Sequence, residues 1–133
     1  MDNFEHERLD AYRAAVEFLV VADAVASALP RGRAYLADQL RRAAASIPVN
    51  IAEGAGEFSA AEKARFYRMA RRSATESAAL LDACRRLQLC EGGLHEEGRA
   101  LLLRVVAMLT AMVRRLCTTG SGSGSGSGSD VVE

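Results

Sequence analysis

The stretch "SIPVNIAEGAGEFSAAE", residues 46–62, decides the architecture. It sets Pro48 after an alanine-rich run, then Gly54 and Gly56, then Ser59 three residues ahead of Glu62. Either Pro48 ends a helix or the helix runs on to the glycines. Leu36, Leu40, Ala43, Ala44, Ile47 and Ile51 recur at steps of three and four, and this stripe keeps its phase across Pro48. A break would reset the phase. The pattern therefore predicts one helix, kinked at Pro48, with the proline on the face of Arg41 and Ala45, away from the stripe. The ring removes the N–H that would reach the carbonyl of Ala44. Gly54 and Gly56 are expected to stop the helix. Ser59 with Glu62 matches a capping box, in which the hydroxyl takes a backbone N–H and the carboxylate reaches back, so another helix opens there.

Outward from this stretch the helical period persists. Over residues 9–29, Leu9, Tyr12, Val16, Leu19 and Val20 form one stripe and Val21, Val25 and Leu29 a second, closed by Pro30 and Gly32. After Ser59 the apolar stripe is Phe66, Met69, Ala70, Ser73, Ser77, Leu80, Leu81, Cys84 and Leu87. Its middle is small (Ser73, Ala74, Ser77, Ala78), which suits a close helix approach. Gly92 and Gly93 end the loop that follows. A fourth helix over 94–117 has Glu96 and Glu97 in its first turn, where the macrodipole favours acid. Leu101, Val105, Met108 and Met112 form one stripe on it, and Leu102, Val106, Leu109, Val113 and Leu116 another. The paired stripes on the first and fourth helices are wider than a single bundle core needs, which predicts burial against another subunit. Four helices with short connections, and no competing strand signal, predict an all-α fold: an antiparallel up-down four-helix bundle over residues 1–117.

The 133 residues suffice for one domain with a real core. Charges balance at 17 and 17, and every base but Lys63 is Arg. Their layout is uneven. Residues 1–30 carry six acids and two bases, whereas residues 31–72 carry nine bases and four acids. Cys84, Cys90 and Cys117 form no C-x-x-C pair, and the acidic start "MDNFEHERLD" is no secretory leader, so reduced thiols in a cytoplasmic protein are expected. The longest apolar run, "FLVVADAVASAL", covers 12 residues with Asp23 inside it, too short to span a bilayer, and no membrane partner is expected. Residues 118–133 read as a Gly/Ser linker, flexible by composition, ending in "DVVE". That ending is either an engineered scar or a short acidic-apolar peptide for a partner.

Few residues suggest chemistry. His6 and His95 stand near acids, without the spacing of a metal site, and read as surface histidines. The cysteines lack the basic partners of an activated nucleophile, and Cys84 reads as a small core residue. Gly54-x-Gly56 follows no strand, so it is a helix stop rather than a phosphate cradle. Glu53 before it suits a capping or intersubunit ion pair. The arginines are more informative. Arg65, Arg68 and Arg72 share one helix face at i, i+3 and i+7, Arg71 borders them, and Arg41 and Arg42 lie on the neighbouring helix. Such a strip is either a solvated face or a phosphate-binding surface, since guanidinium groups pair bidentately with phosphate oxygens.

"QLRRAAASIPVNIAEGAGEFS", residues 39–59, closely resembles the signature of a bacterial family of four-helix bundle proteins, typified by the protein encoded in intervening sequences of large-subunit ribosomal RNA genes. Members typically read Q-[IL]-R-R-A-x-x-S-I-x-x-N-I-A-E-G. Here Gln39, Leu40, Arg41, Arg42, Ala43, Ser46, Ile47, Asn50, Ile51, Ala52, Glu53 and Gly54 match, with Pro48 inside the motif. "FYRMARRSATES" resembles the next segment of the family through Phe66, Ala70, Ser73 and Glu76, with Arg72 where glycine is usual. "LDAY" at 9–12 resembles its L-x-V-W, with Tyr12 for tryptophan. The resemblance implies a four-helix bundle, often a ring-shaped homopentamer. One branch of the family comprises the accessory variability determinants of diversity-generating retroelements, which bind a reverse transcriptase and template RNA through a basic surface.

Two readings follow. The first is a non-catalytic homo-oligomeric scaffold, a pentamer, that binds partners. The alternative is a reverse-transcriptase and RNA-binding accessory using Arg41, Arg42, Arg65, Arg68, Arg71 and Arg72. Neither calls for a cofactor or a metal, and Ser46, Ile47, Pro48, Asn50, Glu53 and Gly54 are expected to serve the fold.

Overall fold

The computed structural model describes residues 5–120. Among these the chain forms four α-helices and no strand. A 3-10 turn at Glu5–Arg8 leads into α1 (Asp10–Ala28), and a second at Arg31–Arg33 precedes α2 (Ala34–Ala55). α3 (Ala60–Arg86) and α4 (Gly92–Gly120) follow. Each helix packs on the next, and α1 closes against α4 to complete a four-helix bundle. No helix among the described residues is long and apolar enough to cross a membrane. The "DVVE" segment lies outside the described residues.

α1 stops because Leu29 precedes a proline. Its backbone is extended, at φ −72° and ψ 141°, the region that a following proline imposes. α2 runs through Pro48 without interruption. The expected face of that proline needs correction, however, because Pro48 is buried. Arg41, seven residues earlier on the same side, reaches Asp23 and Ser27 of α1. The side of α2 that the large apolar residues leave free is therefore the side that meets α1. A bundle helix has two neighbours, and its contact arc exceeds the arc marked by leucine and isoleucine.

Gly54 does not stop α2 either. It lies inside the helix and is buried, and a Cβ there would stand 2.7 Å from Cε1 of Tyr67. Its role is close approach to α3. The helix ends at Gly56, whose N–H reaches the carbonyls of Ala52 and Glu53. The capping box is half formed: Ser59 Oγ accepts the N–H of Glu62 at 3.1 Å, while the Glu62 carboxylate turns to Arg65 at 3.0 Å. Lys63 instead serves the preceding helix, donating to the carbonyls of Gly54 and Ala55 at 3.4 and 3.0 Å, where the C-terminal end of the dipole favours a cation.

The buried face of α3 is Ala64, Tyr67, Ala70, Ala74, Ser77, Leu81 and Cys84. This shifts the expected stripe, leaving Phe66 half-buried and Met69 and Leu87 exposed. Side-chain bulk marks the core poorly here, because many of the buried residues are alanines, among them Ala11, Ala14, Ala15, Ala22 and Ala26 on α1 and Ala37, Ala43 and Ala44 on α2. Small residues let helix axes approach, and the larger ones (Phe18, Leu40, Ile47, Ile51, Leu81, Leu109) interdigitate between them.

α3 ends in a Schellman motif. Leu89 N–H donates to the Cys84 carbonyl at 2.8 Å and Gln88 N–H to the Arg85 carbonyl at 3.0 Å, with Gln88 left-handed at φ 63°. Glycine usually marks this position, so a glutamine there gave no signal in the sequence. α4 begins at Gly92 and runs to Gly120, three residues past the expected boundary. Gly98, which periodicity ignores, is buried where a Cβ would stand 2.8 Å from Leu81 Cδ2 and 3.3 Å from Phe18 Cε1. The two stripes of α4 merge into one arc. Leu101, Leu102, Val105, Leu109 and Val113 are buried at its centre, with Val106, Met108, Met112 and Leu116 half-buried along its edges.

Candidate interaction surface

The densest motif of the sequence folds into the α2–α3 seam. Asn50 Nδ2 donates to both the carbonyl and Oγ of Ser46 at 2.9 Å, and Ser73 Oγ on α3 donates to Ser46 Oγ at 2.9 Å. Ser46, Asn50 and Gly54 recur every fourth residue, so one side of α2 carries first a polar clamp and then a slot for Tyr67. Ile47 is fully buried in the core, and Pro48 is buried as well. Burial, together with the charge of Glu5, holds the Tyr67 phenol above its ordinary range. These residues lie within the packing of the bundle.

Glu53 behaves differently. It is exposed, and with Glu5, His6, Ala52, Gly56 and Glu57 it lines an open cleft at the C-terminal end of α2. Lys63 caps the carbonyls of that helix end, so the three carboxylates face a nearby cation. His6 lies edge-on to Tyr12 of α1, with ring centroids 4.6 Å apart. His95 is a helix tie, its Nε2 2.8 Å from Asp82 Oδ1 across the α3–α4 junction.

The six arginines do not form one strip. Arg41 lies over the α1–α2 groove, 3.3 Å from Asp23 Oδ1 and 3.0 Å from Ser27 Oγ. Arg42 is exposed on α2. Arg65 is held at the start of α3 by Glu62 at 3.0 Å and by the Phe66 ring, 4.5 Å from its guanidinium carbon. Exposed pairs of this kind contribute about 0–1 kcal/mol and leave the side chain recruitable. Arg68 and Arg71 do reach α4, on the groove between α3 and α4. Arg68 Nη2 donates to Cys117 Sγ at 3.3 Å, and Arg71 Nη1 to Thr110 Oγ1 at 3.2 Å. Arg72 is exposed beside them and shares a shallow cleft with Arg71, Thr75 and Glu76. Thr110 and Cys117 belong to this surface although the sequence offered no reason to pair them with α3. Only the packing of α4 brings them there. Such a row of guanidinium groups recognises carboxylates or phosphates.

Apolar groups also face outward. Val20, Val49 and Leu103 are 67%, 57% and 58% exposed, and Phe58 at the α2–α3 turn is fully so. Of the cysteines, Cys84 and Cys90 are buried and Cys117 is exposed, all as free thiols.

A family model described as 23S rRNA-intervening sequence protein matches residues 7–111. No curated protein matches the chain.

Proposed function

The chain belongs to the 23S rRNA-intervening sequence protein family, and from that membership we propose that it is a non-catalytic, homo-oligomeric scaffold that works by presenting surfaces to partners. The observation that carries this reading is the set of aliphatic side chains left in water. Val20, Val49 and Leu103 lie on three different helices of a bundle whose own core is already closed. A contiguous apolar patch marks a protein interface, and these are the side chains that a second copy would cover to make one. The half-buried edges of α1 and α4 extend it, through Val16 and Leu19 on one and Val106, Met108 and Met112 on the other.

The bundle in this reading is antiparallel and up-down. Ser46 with Ser73, and Gly54 with Tyr67, pair α2 and α3 in opposite senses. Asp82 with His95, and Arg71 with Thr110, do the same for α3 and α4. The oligomer is a pentamer by family resemblance. Light scattering on the purified chain should return about five times its 14.2 kDa mass, and a monomer at micromolar concentration would refute the scaffold.

A further inference from the structure

We propose that the groove between α3 and α4 is a docking site for the chain's own residues 130–133, which fold back onto it and are held by its arginines. The contact is made within one copy and is independent of how many copies assemble.

Arg71 meets Thr110, and Arg68, three residues earlier, meets Cys117, seven residues later. The groove therefore runs toward the end of α4. Arg114 stands between Thr110 and Cys117 at helical steps, so it shares their side of α4. Arg68, Arg72 and Arg114 are exposed. Val106 and Ala107, one turn before Thr110, are half-buried and exposed. Guanidinium groups beside a short apolar strip suit a peptide that sets carboxylates next to aliphatic side chains.

The charges around the groove favour an anion there. Residues 98–120 carry four arginines and no acid. On α3, Glu62 lies against Arg65 at 3.0 Å. Glu76 shares a shallow cleft with Arg71, Arg72 and Thr75. It limits the site on that side, because a carboxylate docked beyond Thr75 would meet a like charge. Other cations are accompanied or stand elsewhere. Arg41 lies on Asp23, and Lys63 caps the end of α2, where Glu53 and Glu57 stand. Arg42 belongs to α2, whose packing partners are α1 and α3.

The chain itself supplies a matching peptide. After Glu97 the next acids are Asp130 and Glu133, and they enclose Val131 and Val132. Residues 120–129, which join them to α4, are ten alternating glycines and serines. A Gly/Ser segment of that length has a typical end-to-end distance of about 17 Å. Thr110 lies ten residues before Gly120 on α4, a rise of about 15 Å. Tether and span match, the condition under which the local concentration of a tethered ligand is highest, in the millimolar range. Exposed ion pairs are weak one by one, and this local concentration lets a few of them hold the segment. Once docked, it covers guanidinium groups that a partner's carboxylates or phosphates would need, so an acidic partner has to displace it.

Backbone relaxation of the nitrogen-15-labelled full chain tests this, read at Val131 and Val132. In the parent both amides should have order parameters above ~0.6, the level below which a backbone counts as flexible. Asp130→Asn with Glu133→Gln should drop both below that level. So should Arg68→Glu with Arg72→Glu and Arg114→Glu, with circular dichroism as the check on helix content. The first variant leaves the bundle untouched, so its result stands by itself. Adding Asp130→Arg and Glu133→Arg to the three arginine changes exchanges the two signs and should return both valines above the level. Valines below it in the parent, order that survives either set of changes, or an exchanged chain whose valines stay below it overturns the proposal. Order in the parent that disappears on dilution puts the segment on a second copy and overturns it too.

Discussion

Ser73 and Ser77 sit one turn apart on α3 and meet opposite fates. Ser73 Oγ donates to Ser46 and helps tie α3 to α2. Ser77 Oγ is fully buried and has no partner among the described residues. A buried hydroxyl without a hydrogen bond costs about 1–3 kcal/mol of desolvation, whereas a satisfied one contributes about 1. Ser77→Ala should therefore raise stability by about 1 kcal/mol, and Ser73→Ala should lower it by a similar amount. Urea denaturation midpoints separate the two. Equal losses would mean that Ser77 has a partner, such as a buried water. In the sequence the two serines looked alike, as small residues on one stripe, because periodicity reports which side a residue faces and not which atom it meets. Gly54 teaches the same lesson. Followed by a second glycine it reads as a stop, yet its lack of a Cβ is used sideways, to admit Tyr67.

At the scale of the element, α2 shows how far a pattern reaches. Continuity of the apolar stripe correctly carried the helix through Pro48, since hydrophobic phase is written into the chain itself. The burial of that proline, on a side away from the stripe, was not legible, because the pattern of one helix does not say where its second neighbour stands. The correction changes an expected outcome. On an outer face, Pro48→Ala would restore a helical hydrogen bond and gain about 3 kcal/mol. In its buried position the change also removes two methylenes of packed ring, at about 0.8 kcal/mol each, and leaves a small void. The net gain should be about 1 kcal/mol in thermal melts. A gain near the full value would place the ring outside the packing. A loss would show that the bundle depends on the bend expected at this position.

At the scale of the whole molecule, three buried groups share one response to pH. Burial raises the Cys84 and Cys90 thiols above their ordinary 9.0 and the Tyr67 phenol above its ordinary 10.0, with Glu5 adding to the effect on Tyr67. Each folded-state pKa is raised, so the folded chain keeps protons that the unfolded chain releases. The contribution is whole below about pH 9, where the unfolded thiols still hold their protons, and is lost as pH rises through the folded values. Denaturation midpoints should stay level from neutral pH to about pH 8.5 and then fall. Cys84→Ala should flatten that fall even though the variant starts from lower stability. A midpoint that rises with pH in this window would contradict the burial of all three groups.

The chain alone determined that the described residues are helical, that they form four helices, where most of these end, and which family motif they carry. Those properties follow from local propensity, capping and the helical period, which act over a few residues. Which sides of the helices meet was decided by packing. Pro48 is buried, Tyr67 enters the slot at Gly54, and Gly98 lies under Leu81 and Phe18. Packing also divided the arginines, sending Arg41 to Asp23 and setting Arg68 and Arg71 against α4. The many alanines of the core explain why these were not legible. Alanine is apolar enough to be buried and small enough to face anywhere, so its spacing marks no side, and the contacts are chosen by how closely two backbones can approach.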